Sequence, residues 1–171
     1  GTIALGGEKA VGIAADYGHI INNNIIKTTG NNSVGIYSAN GTITENNGEI
    51  VISGNNTAGI YGTSYLDGVT TSAGLGYGND KINVTNNSKI TAAGTGRVYG
   101  IYANNRTGVQ GNAIVTLNGG SNIDLQNSSG GIGVYVNNGA LNGTGVVSVG
   151  SDSIGIYAKD SNVNLSGLTL N

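Results

Sequence analysis

The sequence contains no cysteine, proline, methionine, tryptophan or phenylalanine among its 171 residues. Without cysteine, neither a disulfide framework nor a thiolate metal site can form. Charged residues make up only 9% of the chain and the formal net charge is -2, which excludes the basic surface that nucleic-acid binding requires. No apolar run reaches the roughly 18 residues that a transmembrane helix needs.

Glycine (32) and asparagine (26) together make up about a third of the chain. Both have low helix propensity, and the asparagine side chain competes for backbone hydrogen bonds, so a helical fold is disfavoured. Apolar residues still account for 37%, which is more than disordered chains contain. The composition therefore predicts an all-β protein with a core.

A Gly-Ile-Tyr segment or a close variant recurs along the chain at spacings of 23, 24, 41, 33 and 22 residues. Each copy reads as a short alternating strand with aliphatic residues on one face and Gly and Tyr on the other. The copies are Gly12-Ile13-Ala14, Gly35-Ile36-Tyr37, Gly59-Ile60-Tyr61, Gly100-Ile101-Tyr102, Gly133-Val134-Tyr135 and Gly155-Ile156-Tyr157.

Two further short strands follow each copy. The first of these two carries aliphatic residues such as Ile20, Ile43, Leu141 and Val163. Asn-rich corners separate the strands. Three strands and three corners in about 22–24 residues close one coil of a parallel β-helix, in which equivalent residues stack along the axis. We therefore expect an interior Ile column, an outward tyrosine ladder and amide ladders at the corners. Asn-Gly corners also allow an antiparallel sandwich, but hairpins give no reason for the tripeptide to return.

Two units are longer than the others and predict insertions at about 63–79 and 104–112. Because both leave the coil after the Gly-Ile-Tyr strand, we expect them to emerge side by side as one protrusion. The alternative is a pair of passive surface loops. The predicted binding patch consists of Tyr65, Leu66, Asp67, Tyr77, Arg106 and Gln110 on this protrusion, with Arg97 nearby.

Catalytic patterns are scarce. The single histidine, His19, has Asp16 three residues before it, but no serine lies in a nucleophile-elbow context. Glu45 and Glu49 form the one close glutamate pair, and they flank an Asn-Asn-Gly corner that favours solvated turn charges. The sequence therefore predicts no catalytic residue, no metal and no cofactor.

The phrases Val34-Gly35-Ile36-Tyr37-Ser38, Ala58-Gly59-Ile60-Tyr61, Tyr99-Gly100-Ile101-Tyr102-Ala103 and Ile154-Gly155-Ile156-Tyr157-Ala158 resemble the passenger repeats of type Va autotransporter adhesins. They are most similar to the large passengers of fusobacterial-type outer-membrane adhesins. This resemblance implies a right-handed single-stranded β-helix displayed on the bacterial cell surface. It also implies attachment to a protein or glycan on host cells or other bacteria, and a C-terminal outer-membrane barrel in the same polypeptide, outside residues 1–171.

Together these observations predict one monomeric β-helix section over residues 1–171, with about six to seven coils, as a fragment of a longer passenger. The expected function is that of a non-catalytic adhesin section, a rigid stalk with a loop-borne binding patch. One alternative is a carbohydrate-active β-helix enzyme that uses Glu45, Glu49 or Asp80. Another is a purely structural spacer.

Overall fold

A computed structural model describes residues 1–64, 81–107 and 110–171, in which every regular element is a β-strand. No candidate for a membrane-spanning helix is found in these ranges. The strands are β1 (Thr2–Leu5), β2 (Val11–Asp16), β3 (His19–Asn22), β4 (Ile25–Thr28), β5 (Val34–Ala39), β6 (Ile43–Asn46), β7 (Ile50–Ser53), β8 (Ala58–Ser64), β9 (Ile82–Asn86), β10 (Lys89–Thr95), β11 (Tyr99–Asn105), β12 (Ala113–Leu117), β13 (Asn122–Leu125), β14 (Ser128–Ser129), β15 (Ile132–Asn137), β16 (Gly139–Val149), β17 (Ile154–Lys159) and β18 (Asn162–Leu170).

Each strand pairs in parallel with its equivalent in the next coil. Face 1 consists of β2, β5, β8, β11, β15 and β17 in spatial order. Face 2 contains β3, β6, β9 and β12, and face 3 contains β1, β4, β7, β10 and β13. This is the predicted parallel β-helix, and the parallel pairing throughout excludes the antiparallel sandwich.

The last two coils join faces 2 and 3 through bent strands. In β16 the pairing with β18 shifts register between Gly143 and Gly145, whose φ angles of 117° and 126° suit glycine. The chain therefore turns the corner without leaving the sheet. Two of the three separate strands predicted for these coils are one continuous strand, so faces 2 and 3 belong to a single sheet.

The core is a pair of aliphatic columns that face each other across the lumen. Face 1 contributes Ile36, Ile60, Ile101 and Val134, all fully buried. Face 3 contributes Ile26, Ile50, Ile90, Ile123 and Val147, which pair coil by coil. Each of these side chains adds about 1.5–3 kcal/mol by burial, and stacking in register keeps every one covered on both sides.

The glycine of the repeat points inward, not outward with the tyrosine as the sequence predicts. A Cβ at Gly35 would lie 2.7 Å from Ile50 Cγ2 and 2.6 Å from the carbonyl oxygen of Gly59. The pairs on either side join Val34 to Ala58 and Ile36 to Ile60, whereas the glycines themselves are skipped. A local kink thus brings two consecutive residues toward the lumen, and the face 3 isoleucine occupies the space of the missing side chain.

Part of the lumen is polar, which the sequence does not predict. Ile43 points outward and is 48% exposed, whereas Thr44 and Asn46 on the same strand are fully buried. Asn22 Nδ2 donates to Asn46 Oδ1 at 2.7 Å, and Asn46 Nδ2 donates to Asn86 Oδ1 at 2.8 Å. This buried amide ladder ends where Asn86 Nδ2 donates to Ser121 Oγ at 2.7 Å.

A second amide ladder runs along the exposed corner that follows face 2. Asn47 Nδ2 donates to Asn23 Oδ1 at 3.0 Å, and Asn87 Nδ2 donates to Asn47 Oδ1 at 2.6 Å. Asn118 continues the ladder by donating to Asn87. The predicted corner ladders are therefore present, because one side-chain amide both donates and accepts along the axis.

Two buried threonines, two residues apart in the sequence, should respond oppositely to substitution by valine. Thr44 Oγ1 has no hydrogen-bond partner among the described residues, and its column neighbours are Ile20 and Val84. Thr44→Val should therefore stabilise the fold by about 1–2 kcal/mol. Urea unfolding followed by circular dichroism measures the change.

Thr42 is the matched control. Its hydroxyl donates to the carbonyl oxygen of Ala39 and accepts from the backbone N–H of Gly18 at 3.2 Å. Thr42→Val should destabilise the protein by about 1–3 kcal/mol. Equal effects of the two substitutions would contradict the assigned hydrogen bonding.

Candidate interaction surface

Five tyrosines form an outward stack on face 1, which we name the tyrosine column: Tyr37, Tyr61, Tyr102, Tyr135 and Tyr157. Strand register places each directly over the next. Successive ring centroids are 5.8, 4.5, 4.7 and 5.3 Å apart, and interplanar angles are 3–14°. The Gly-Ile-Tyr segments of these five coils are thus brought into one aligned set.

The stacking decides which part of each ring reaches solvent. Because the rings lie face to face at near-contact spacing, each face within the column is covered by its neighbour. The ring edges and hydroxyl groups lie on the outer side, where Asn104 Nδ2 donates to the Tyr102 hydroxyl at 2.7 Å, and Tyr157 keeps 41% of its surface exposed. The column therefore presents phenol edges and hydrogen-bonding groups to a ligand, not open aromatic faces.

A second outward column runs beside the tyrosines on face 1. This outer aliphatic column consists, in register, of Val11, Val34, Ala58, Tyr99, Ile132 and Ile154. Tyr99 replaces the aliphatic residue in its coil and packs edge-on against Tyr102 and Tyr135, with centroids 5.0 and 6.3 Å away. Val11 is 42% and Ile154 44% exposed at the two ends of this column, whereas Val34 and Ile132 are half-buried and Ala58 is buried. The exposed apolar surface of the column therefore lies mainly at its ends.

Burial raises the pKa of three phenols on face 1. Burial, followed by the neighbouring Tyr102, raises the pKa of Tyr61 to about 12, although the Arg106 guanidinium acts in the opposite direction. Burial also raises the pKa of Tyr99 and of Tyr135. At neutral pH these hydroxyls are therefore neutral groups that can both donate and accept hydrogen bonds.

Two shallow grooves flank the tyrosine column. The first has a volume of about 290 Å³ and is lined by Val34, Ala58, Tyr61, Arg97, Tyr99 and Tyr102, among others. The second has a volume of about 410 Å³ and is lined by Val11, Val34, Tyr37, Tyr61, Thr63 and Arg106. Tyr61 contributes to both grooves, and each groove has one exposed arginine at its edge.

The charged residues among the described residues that line these grooves are Arg97 and Arg106. The central strands β5, β8, β11 and β15 contain no charged residue. Arg97 precedes β11 and Arg106 follows it, and the single ion pair within salt-bridge distance in the described ranges joins Lys89 Nζ to Asp124 Oδ2 at 3.8 Å instead. Both guanidinium groups therefore lack a carboxylate partner among the described residues.

Three of the seven residues of the predicted binding patch lie in the described part of the chain. Tyr65, Leu66, Asp67 and Tyr77 lie outside the described residues. Arg97 and Arg106 are brought to the two grooves at opposite ends of β11, whereas Gln110 is exposed on a turn and lines neither groove.

The boundaries of the two insertions differ from the sequence prediction. Strands β8 and β11 continue through Ser64 and Asn105, which pair with each other. Thr63 and Asn104 are therefore strand residues and not the first residues of insertions.

Tyr99 was missed as a candidate binding residue. Its signal in the sequence is an aromatic residue at the position before Gly-Ile-Tyr, where other coils have Val, Ala or Ile.

The described residues considered for catalysis lie on three different strands and one corner. His19 is exposed at the start of β3, and Asp16 Oδ1 accepts a hydrogen bond from Asn40 Nδ2 at 2.8 Å. Glu45 points outward on β6, Glu49 lies in the corner before β7, and Asp80 is outside the described residues. Within the described ranges, no group of three or more His, Asp or Glu side chains is placed to bind a metal.

Comparison of the chain with protein-family models, with curated proteins and with solved structures finds no match.

Proposed function

We propose that this chain is a section of a non-catalytic bacterial surface adhesin, in which the β-helix is a stiff support and face 1 is the attachment surface. One observation carries the proposal. In five consecutive coils the repeat places a tyrosine outward at the same position, beside an aliphatic column whose two ends are exposed. Core packing explains the inward Ile and Gly of the repeat, but it does not require tyrosine on the outside.

Residue chemistry and resemblance both support this function. Tyrosine and arginine are the residues most enriched at binding hot spots, and both occur here around shallow grooves. The repeat also resembles autotransporter passengers, which act at the bacterial cell surface. We therefore infer display on the extracellular side of the outer membrane and attachment to host cells or to other bacteria.

Binding of the purified 171-residue chain to cells tests the proposal. The labelled protein is incubated with host epithelial cells and, separately, with other bacteria, and flow cytometry measures the bound fraction. We expect saturable binding that weakens about tenfold or more in the double variant Tyr102→Ala/Tyr135→Ala, because both side chains lie at the centre of the surface. Circular dichroism verifies that the variant is folded.

Ile114→Ala is the matched control, since Ile114 is a half-buried outward side chain on face 2. It should leave binding unchanged. Absence of saturable binding to either kind of cell would refute the adhesin proposal and favour a spacer. Full binding by the tyrosine variant would place attachment elsewhere on the chain.

A parallel assay separates the adhesin from an enzyme. We expect the wild-type chain to release no product from pectins or host glycans. Turnover that disappears in Glu45→Gln, Glu49→Gln or Asp80→Asn would overturn the non-catalytic proposal.

A further inference from the structure

We propose that the partner recognised by face 1 is a protein surface that presents carboxylates on either side of an apolar patch, and not a glycan. This inference rests on the proposed attachment function and specifies the chemistry of the ligand. It is carried by the stacking of the tyrosine column, by the neighbouring aliphatic column and by the two arginines at the ends of β11.

The stacking argues against sugar recognition. A pyranose ring packs its C–H groups on the open face of an aromatic ring, but the faces within this column cover each other at 4.5–5.8 Å. The parts of the column that face outward are ring edges and hydroxyl groups, not ring faces. Neutral hydroxyls of this kind hydrogen-bond peptide carbonyls and carboxylates equally well, so the column does not itself require a sugar.

The outer aliphatic column favours a protein. Val11 and Ile154 keep more than two fifths of their surface exposed, and both belong to the same apolar row as Val34 and Tyr99. Aliphatic side chains gain most when they are buried against other apolar side chains, and sugar hydroxyls offer little of that contact. A row of apolar residues beside tyrosines is typical of the centre of a protein interface.

Charge complementarity defines the edges of the partner. Arg97 and Arg106 border the two grooves, and neither has a carboxylate partner among the described residues. Strand β11 between them has seven residues, so the two backbone positions are roughly 20–30 Å apart at about 3.3 Å per residue. A guanidinium group binds a carboxylate through two parallel hydrogen bonds. The fitting partner therefore has acidic side chains on both sides of an apolar strip.

Selective treatment of the target cells tests this inference. Cells that bind the labelled chain are treated either with proteinase K, which removes surface proteins, or with mild periodate, which oxidises glycans. We expect proteinase K to abolish binding and periodate to leave it intact. Loss of binding after periodate, with or without loss after proteinase K, would overturn the inference and identify a glycan ligand.

Charge variants give an independent readout on the same cells. Arg97→Gln/Arg106→Gln should raise the apparent Kd about tenfold or more, and added salt should weaken the wild type more than this variant. Lys27→Gln/Lys89→Gln, on the outward side of face 3, is the matched control and should bind as the wild type does. An unchanged Kd in the arginine variant would refute the inference while leaving the adhesin proposal in place. Absence of binding by the wild type would remove both.

Discussion

Gly100→Ala should destabilise the β-helix by about 3 kcal/mol, although it adds a single methyl group. The new Cβ would lie 2.6 Å from the carbonyl oxygen of Gly133 and closer still to Ile123 Cγ2. The carbonyl belongs to the sheet backbone of the next coil, and Ile123 is fully buried between its column neighbours. Neither can move aside without loss of packing or hydrogen bonding. The expected loss of folding free energy therefore lies at the upper end of the range for overpacked cores. Urea unfolding measures it.

Gly119→Ala is the control because its Cβ would meet no heavy atom within 4 Å. An exposed substitution of this kind should change the free energy of unfolding by no more than about 0.5 kcal/mol. The cause can be isolated with Ile123→Ala, which removes the clashing Cγ2. If the isoleucine is the obstacle, the double variant Gly100→Ala/Ile123→Ala should lose clearly less than the sum of the two single variants. Strict additivity would contradict the packing explanation.

The repeat made the architecture predictable, because translation along an axis requires the same residues at the same positions. The pairing of Tyr37 with Tyr61 and of Ile36 with Ile60 follows directly from that symmetry. The inward direction of Gly35 does not follow, since strict alternation places it on the tyrosine side. The kink that turns it inward depends on the isoleucine of face 3, which the sequence of one strand does not reveal.

The polar lumen was missed for a different reason. Hydrophobicity alone assigns Ile43 to the inside and the neighbouring Asn46 to a corner, whereas the structure has the reverse. The available signal was the recurrence of asparagine at Asn22, Asn46 and Asn86, equivalent positions of three successive coils. A buried amide is stable when groups in the adjacent coils hydrogen-bond to it, so its energetics depend on coil stacking and not on one strand.

The candidate surface was predictable only in part. The outward tyrosines follow from the repeat, and the sequence predicts Arg97 and Arg106 as members of the binding patch. That each arginine borders a groove shared with Tyr61 depends on where β11 begins and ends. The strand is longer than the repeat indicates because Asn105 pairs with Ser64.

Asn46→Asp should make the stability of the protein depend strongly on pH. The substitution keeps the oxygen that accepts from Asn22 Nδ2 but replaces the amide that donates to Asn86 Oδ1. An ionised carboxylate would be fully buried with an oxygen facing the oxygen of Asn86. Burial and this repulsion raise the pKa of the new carboxyl above its usual value of about 3.9.

The sign of the effect follows from the raised pKa. Below about pH 3.9 the carboxyl is protonated in both states, and its O–H can donate to Asn86 Oδ1, so the variant should approach the wild type. As the pH rises, the unfolded chain ionises first while the folded chain must stay protonated or bury a charge. Stability is therefore lost progressively up to the folded-state pKa, and the deficit should reach about 3–5 kcal/mol near neutrality.

Urea unfolding between pH 3.5 and 8, read as the difference between variant and wild type, measures this dependence. A deficit of that size approaches the whole stability of many domains, so circular dichroism at low pH first establishes that the variant folds there. Asn47→Asp is the matched control, because Asn47 follows Asn46 directly and belongs to the exposed ladder with Asn23 and Asn87. It should cost less than about 1 kcal/mol and vary little with pH. A difference between Asn46→Asp and the wild type that stays constant across this range would show that the amide at position 46 is not a buried link between coils.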